Sequence, residues 1–229
     1  MSSSAFVEMR DVSKEYSRGG ETLTVLDHLD LDFTEGEFVA LMGPSGSGKT
    51  TILNLCAGLD NPDSGTVEVE GVEVTAMSSS ELPKWRAENV GLVFQSYNLV
   101  PVLTALENVM LPLNLTPLSR KERYAQAEYA LEIVGLSDRM THRPKQLSGG
   151  QEQRVAIARA IATDPKLLLG DEPTGDLDRA SANDIMELLL RLNSELNKTI
   201  LMVTHDPLAA EQAQRTLHLD KGIVVEDKS

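Results

Sequence analysis

The sequence predicts an α/β fold: a parallel-sheet core, an antiparallel β portion ahead of it, and a helical stretch inserted midway. Three observations carry that expectation. The first part of the chain alternates apolar and polar residues with period two. A short apolar run then feeds a glycine-rich loop and a helix. After a long helical region, strand–helix alternation returns.

Phe6–Met9 reads as strand, followed by a Gly19-Gly20 turn and a second strand in which Leu29, Leu31 and Phe33 alternate with Asp30 and Asp32. Glu37–Met42 is nearly continuously apolar, as a buried parallel strand is. Thr51–Ala57 continues as helix behind the loop, and Gly65–Thr75 alternates around Gly71 as a hairpin. Val90–Phe94 is the next buried strand. Helix then dominates to about Ala162, with capping-box spacing at Thr104/Glu107 and Ser119/Glu122. Ala127, Ala130, Leu131 and Val134 form a core-facing stripe that stops at Gly135. Leu167–Gly170 is strand again. Ile185, Leu188, Leu189, Leu192 and Leu196 share one helical face, Thr199–Thr204 is strand, and a Gly222 hairpin follows.

Composition limits the partners. In 229 residues, 41% hydrophobic and 24% charged, no apolar run approaches the roughly 18–20 residues of a membrane span. Met1–Phe6 lacks the basic start and apolar stretch of a secretion signal, so a cytosolic protein is expected. A net charge of −14 argues against nucleic acid, which demands clustered Lys and Arg, and against direct binding to anionic lipid. Any membrane association therefore runs through a protein partner. The single cysteine, Cys56, excludes a disulfide framework and reads as a buried small residue.

The chemistry gathers in a few places. Gly43, Pro44, Ser45, Gly46, Ser47, Gly48, Lys49 and Thr50 form a phosphate loop of the G-x-x-x-x-G-K-[ST] type, with Thr51 next. Its backbone N–H groups turn around a polyphosphate, Lys49 reaches the terminal phosphates, and the Thr50 hydroxyl ligates Mg²⁺. The motif implies a bound nucleoside triphosphate. Lys166–Glu172 is an apolar strand ending in adjacent carboxylates. Strand alternation turns Asp171 toward Mg²⁺ and Glu172 toward the γ-phosphate side, where it orients or deprotonates a water. Gln95 and His205 also stand at strand C-terminal ends, where open α/β sheets keep their ligands. Ser148, Gly149 and Gly150 open a helix running on from Gln151, so its amides and the Ser148 hydroxyl make a second anion site.

With Leu147–Gln151 and Asp176–Asp178 added, the motifs fall in one order, and nearly the whole chain resembles the nucleotide-binding subunits of ATP-binding-cassette (ABC) transporters. Gln95 matches that family's Q-loop, Leu147–Gln151 its signature, Asp176–Asp178 its D-loop and His205 its switch histidine. The resemblance implies one P-loop NTPase domain over 1–229, with a RecA-like core, an N-terminal antiparallel β subdomain and an α-helical subdomain inserted at about 96–162. It implies ATP and Mg²⁺, with Glu172, His205, Gln95 and Lys49 acting in hydrolysis and Thr50, Gln95 and Asp171 holding the metal. Tyr16 matches the aromatic that stacks on adenine. Ser148, Gly149, Gly150 and Gln151 close on the γ-phosphate held by a second copy, and Asp178 sits at the protomer boundary. Departures are mild: Glu152 stands where relatives often carry Gln or Arg, and Gly170 where Ala is commoner. Arg154 and Arg159 are expected to make intramolecular contacts.

Thr104–Leu113 and Asp171–Asp178 look like the lipoprotein-releasing and macrolide-exporter group. Ending at Ser229, the chain resembles that group's separate-subunit arrangement, at the cytoplasmic face of the membrane. A transmembrane permease is expected to dock near Gln95–Leu106 on Tyr97, Leu99, Val100 and Leu103. Two other classes compete. One is a cell-division-type ATPase signalling mechanically to a periplasmic hydrolase. The other is a P-loop kinase or DNA-repair protein, opposed by the signature and by the acidic charge.

Overall fold

The computed structural model describes residues 5–18 and 21–226, so the Gly19-Gly20 turn and the Met1–Ser4 start lie outside the described residues. In chain order the elements are β1 (Val7–Arg18), β2 (Glu21–Phe33), β3 (Phe38–Met42), α1 (Lys49–Cys56), β4 (Ser64–Val69), β5 (Val72–Glu73), α2 (Leu82–Asn89) and β6 (Val90–Phe94). They continue with α3 (Ala105–Leu113), α4 (Arg120–Ile133), α5 (Gly149–Ile161), β7 (Leu167–Asp171), α6 (Arg179–Leu196), β8 (Thr199–Val203), α7 (Pro207–Ala210), β9 (Arg215–Asp220) and β10 (Ile223–Glu226). Two compact units result, one from the segments up to Leu82 and from Thr199 onward, the other Pro83–Lys198. The second is wider than the helical stretch expected at about 96–162, because it takes in β6, β7 and α6. No described helix is long and apolar enough to cross a membrane.

In the first unit, β1 lies antiparallel between β2 and β4, and β4 pairs with β5. The expected alternation holds: Leu29, Leu31 and Phe33 are buried while Asp30 and Asp32 face out. The ladder is irregular between Met9 and Glu15. There Asp11 has φ 53°, and its carboxylate meets His28 Nδ1 at 2.6 Å. The Gly65–Thr75 hairpin is shorter than its sequence pattern: β5 ends at Glu73, and Val74–Ala76 form a 3₁₀ turn. β3 runs parallel to both β8 and β9, with β10 antiparallel on β9. All five residues of β8 are buried, which its unbroken apolar run anticipated. Phe33, Phe38, Leu41, Ile52 and Leu55 fill the core, at about 1.5–3 kcal/mol each for full burial. Cys56 is buried there with its Sγ 3.9 Å from Met9 Sδ, and burial pushes its thiol up to about 12.

In the second unit, β6 and β7 pair in parallel from Val90↔Leu167 to Phe94↔Asp171. α5 packs against α3, α4, α6 and β6. Both expected capping boxes form: Thr104 and Ser119 accept from the N–H groups of Glu107 and Glu122, whose carboxylates accept in return at 2.8 Å each. The apolar face of α6 is buried through Leu192, but Leu196, the last residue of the helix, is 42% exposed. The short helix α2 escaped the sequence reading. Its Pro83 suits a first turn, yet among its few apolar residues only Leu82 and Trp85 are buried, too few for a visible stripe.

Hydrogen bonds from Thr104 and Ser119 hold the Glu107 and Glu122 carboxyls below the ordinary glutamate value. Their contribution to stability is present above the unfolded value of about 4.3 and is lost as pH falls through the lower folded values. The melting temperature should therefore drop on acidification below about pH 4.3. A Glu107→Gln/Glu122→Gln double variant should show a shallower acid limb in pH-dependent thermal melts.

Candidate active site

β3 ends at Met42, and the chain turns directly into the phosphate loop. Gly43 has φ 156°, and a Cβ there would stand 2.3 Å from the Leu219 carbonyl oxygen. Gly48, at φ 105°, caps α1 from a left-handed conformation that other residues avoid. The first-turn N–H groups of α1 thus face the loop, with the positive end of the helix dipole behind them. Lys49 is only 8% exposed. Its Nζ donates to the carbonyls of Gly43 (2.7 Å) and Pro44 (2.8 Å), and among the described residues no carboxylate pairs with it. The buried Ser47 hydroxyl has no hydrogen-bond partner there either. A desolvated ammonium and an orphan hydroxyl in one cradle fit an anion rich in oxygen acceptors.

The same unit places two more expected residues. His205 is exposed just beyond β8, the parallel neighbour of β3, so it leaves the sheet at the same edge as the loop. The Tyr16 hydroxyl donates to Asp60 Oδ2 at 2.7 Å. The residue is 40% exposed.

The second unit gathers the remaining motifs. β7 stops at Asp171, and Glu172 has φ 49°. The two carboxylates are therefore separated by a left-handed bend rather than by strand alternation, which corrects the expectation from the sequence. Gln95 Nε2 donates to Asp176 Oδ1 at 2.7 Å, joining the Q-loop to the D-loop. Tyr97 and Asn98 both have positive φ, and Arg159 holds their carbonyls at 2.8 and 2.6 Å. Arg154 donates to the Val134 carbonyl and pairs with Asp184. Both arginines are thus intramolecular, as expected.

Ser148 caps α5 by accepting from the Gln151 N–H at 3.3 Å, while Gln151 Oε1 accepts from the Ser148 N–H at 3.0 Å. Gly149 and Gly150 sit where an α-helix offers its amides no internal acceptor. A Cβ on Gly149 would lie 3.0 Å from the Tyr97 hydroxyl, and one on Gly150 3.1 Å from Ser181 Oγ. Asp178 also serves locally, as the cap of α6, accepting from the Ala180 and Ser181 N–H groups at 3.0 Å. Hydrogen bonds from Ser181 hold its carboxyl below the ordinary range.

Sequence reasoning missed Gln153. It is fully buried, and its Nε2 donates to the carbonyls of Phe94 (3.3 Å) and Pro173 (2.5 Å). It thereby fixes the residues flanking Gln95 and Glu172. The signal present in the sequence was a polar residue on the core face of a helix whose neighbours Val155, Ala156 and Ile157 are apolar. Of the four expected docking residues, Val100 is exposed and Tyr97, Leu99 and Leu103 are half-buried. Val102, outside that expectation, is 71% exposed. An apolar groove of about 430 Å³ opens nearby, lined by Leu92, Phe94, Asn98, Pro112, Leu115 and Arg159.

The chain is similar to known proteins over most of its length. The sequence model of the family described as "ABC transporter" matches residues 26–175. The lipoprotein-releasing system ATP-binding protein LolD 1 of Chlorobium chlorochromatii is 50% identical over 206 residues, covering 90% of this chain and 84% of that protein. The macrolide export ATP-binding/permease protein MacB 1/2 of Paracoccus denitrificans is 46% identical over 97% of this chain, which spans 33% of that longer protein. Among solved structures, the dimeric post-hydrolysis state of the ATP-binding cassette MJ0796, bound to ADP and Pi, superposes with a TM-score of 0.88 at 42% identity. It covers 97% of this chain and 99% of that one; the protein comes from Methanocaldococcus jannaschii.

Replacing Gln153 by Leu leaves two carbonyls without their donor and should cost about 1–3 kcal/mol in denaturant unfolding. Gln153→Glu, which turns a third acceptor toward them, should be less stable than Gln153→Leu at neutral pH. The opposite ranking would contradict the clamp.

Proposed function

The chain belongs to the ABC transporter family, and from that membership we propose that it is an ATPase subunit driving a separate membrane permease of the lipoprotein-release or export type. Two copies close head to tail around two ATP molecules and open on hydrolysis, a ligand-biased two-state switch. The observation that carries the nucleotide reading is the buried Lys49 ammonium, held by loop carbonyls with no described carboxylate beside it. The dimeric MJ0796 structure supports the assembly.

Within this reading the loop amides from Gly43 to Thr51, with Lys49, hold the triphosphate, and Tyr16 carries the base. Thr50, Gln95 and Asp171 offer hydroxyl, amide and carboxylate oxygens, the hard donors Mg²⁺ takes. The fit is supported at Gln95, whose nitrogen is directed to Asp176, so that its oxygen is the end suited to a cation. Mg²⁺ held by Thr50, Gln95 and Asp171 would supply positive charge against the phosphates. Glu172 orients and deprotonates the attacking water, and His205 contacts the γ-phosphate from the edge shared with the loop. Ser148, Gly149, Gly150 and Gln151 of one copy clasp the γ-phosphate held by the other. Asp178 acts at the boundary through the start of α6, which it caps.

The permease docks along Gln95–Leu106, on the groove lined by Leu92, Phe94 and Asn98 and on the exposed Val100 and Val102 of that segment. That seat keeps the subunit at the cytoplasmic face of the membrane through protein contacts alone, since a chain of charge −14 has no affinity for anionic lipid.

Glu172→Gln should retain ATP binding and accumulate as dimer on size exclusion, with phosphate release slowed about a hundredfold or more. Turnover near wild type would remove Glu172 from its role. Lys49→Ala should lose nucleotide affinity first. Ser148→Arg should bind ATP as a monomer without closing, and an ATP-dependent dimer of that variant would count against the shared site. Co-purification of a multi-span membrane protein, lost on Val100→Asp/Val102→Asp, tests the docking surface.

A further inference from the structure

Tyr16 does not stand alone. Lys14, two residues earlier on β1, points to the same side of the strand, and its Nζ lies 5.2 Å from the Tyr16 ring centroid. Lys14 is buried, and its ammonium donates to Asp60 Oδ1 at 2.9 Å and to the Asn61 carbonyl at 2.6 Å. The other oxygen of Asp60 accepts from the Tyr16 hydroxyl at 2.7 Å. Asp60 in turn sits just past α1, with its N–H on the Asn54 carbonyl at 3.3 Å. One carboxylate thus ties an ammonium, an aromatic hydroxyl and the helix behind the phosphate loop.

We propose that Lys14 and Asp60 are positioning residues for the nucleobase: they lock the Tyr16 ring, one face against the ammonium and its hydroxyl on the carboxylate, so that the other face is a preformed stacking surface. The inference rests on the reading that Tyr16 carries the base. Three features favour it over local packing. Tyr16 remains 40% exposed although its hydroxyl and one face of its ring are engaged. Asp60, which anchors the ring, is itself tied to α1 through its N–H on the Asn54 carbonyl, so the base platform is fastened to the helix that follows the phosphate loop. A ring held before binding loses little freedom when a base settles on it, which is where a positioning group contributes affinity. The Asp60 carboxyl is consistent with this role. Burial would raise it, but the hydrogen bonds from Lys14 and Tyr16 outweigh burial and keep it below the ordinary range, charged at neutral pH.

The test compares ATP with inorganic tripolyphosphate, which carries the phosphates without a base, in calorimetric titrations of the full chain. Tyr16→Phe removes only the hydroxyl, and Asp60→Leu removes the whole anchor. Each should weaken ATP on the order of fivefold while tripolyphosphate binds as to wild type. The double variant should lose no more than Asp60→Leu alone, because both changes break one bond. Unchanged ATP affinity in Tyr16→Phe and Asp60→Leu overturns the proposal. So does an equal loss for ATP and tripolyphosphate, which would make the cluster a brace for the phosphate loop. Tyr16→Ala separates the two levels. If it binds ATP like wild type, the stacking reading itself fails. If it alone loses affinity, stacking stands and the positioning role of Lys14 and Asp60 fails. Should Asp60→Leu not fold, Tyr16→Phe decides.

Discussion

A buried ammonium with no described carboxylate beside it is the constraint around which the first unit is organised. Lys49 lies at the first residue of α1, where its ammonium donates to the carbonyls of Gly43 and Pro44. Burying such a charge is costly unless something negative completes its shell. The glycines that let the loop curl, the parallel strand that delivers it and the helix that backs it are all consistent with an anion as that missing component. Folding and anion binding are coupled in such a loop, because no described carboxylate completes the shell of Lys49.

The second unit solves a different problem, that of holding functional side chains by jobs they also perform locally. Ser148 and Gln151 cap a helix and belong to the signature; Asp178 caps another and belongs to the D-loop. Gln95 reaches Asp176, and Gln153 holds the carbonyls of Phe94 and Pro173, next to Gln95 and Glu172. Arg159 secures two successive residues of positive φ just after Gln95. Such doubling means that a change in ligand contact at any of these positions is felt by the backbone next to it.

Much of this was legible in the sequence, for identifiable reasons. The capping boxes at Thr104 and Ser119 are set by spacing over four residues, so local chemistry decides them. The unbroken apolar run of β8 and the alternation of Leu29, Leu31 and Phe33 report burial directly. The motifs likewise singled out Lys49, Gln95, Glu172 and His205 as candidates. What stayed hidden depends on contacts distant along the chain. Lys14 meets Asp60 across 46 positions and Gln153 meets Phe94 across 59, and neither pair has a local pattern. The bend at Glu172 was hidden as well, since an apolar strand followed by two acids gives no sign of where the strand stops.

That bend has an evolutionary side. Glu172 occupies a left-handed backbone conformation, a placement that costs a side-chain-bearing residue about 1 kcal/mol or more and suits glycine or asparagine better. Replacements that destroy the acid can therefore relax the chain. In the role proposed for Glu172, a glycine at that position would remove the acid while easing the backbone, so backbone strain gives the carboxylate no protection of its own.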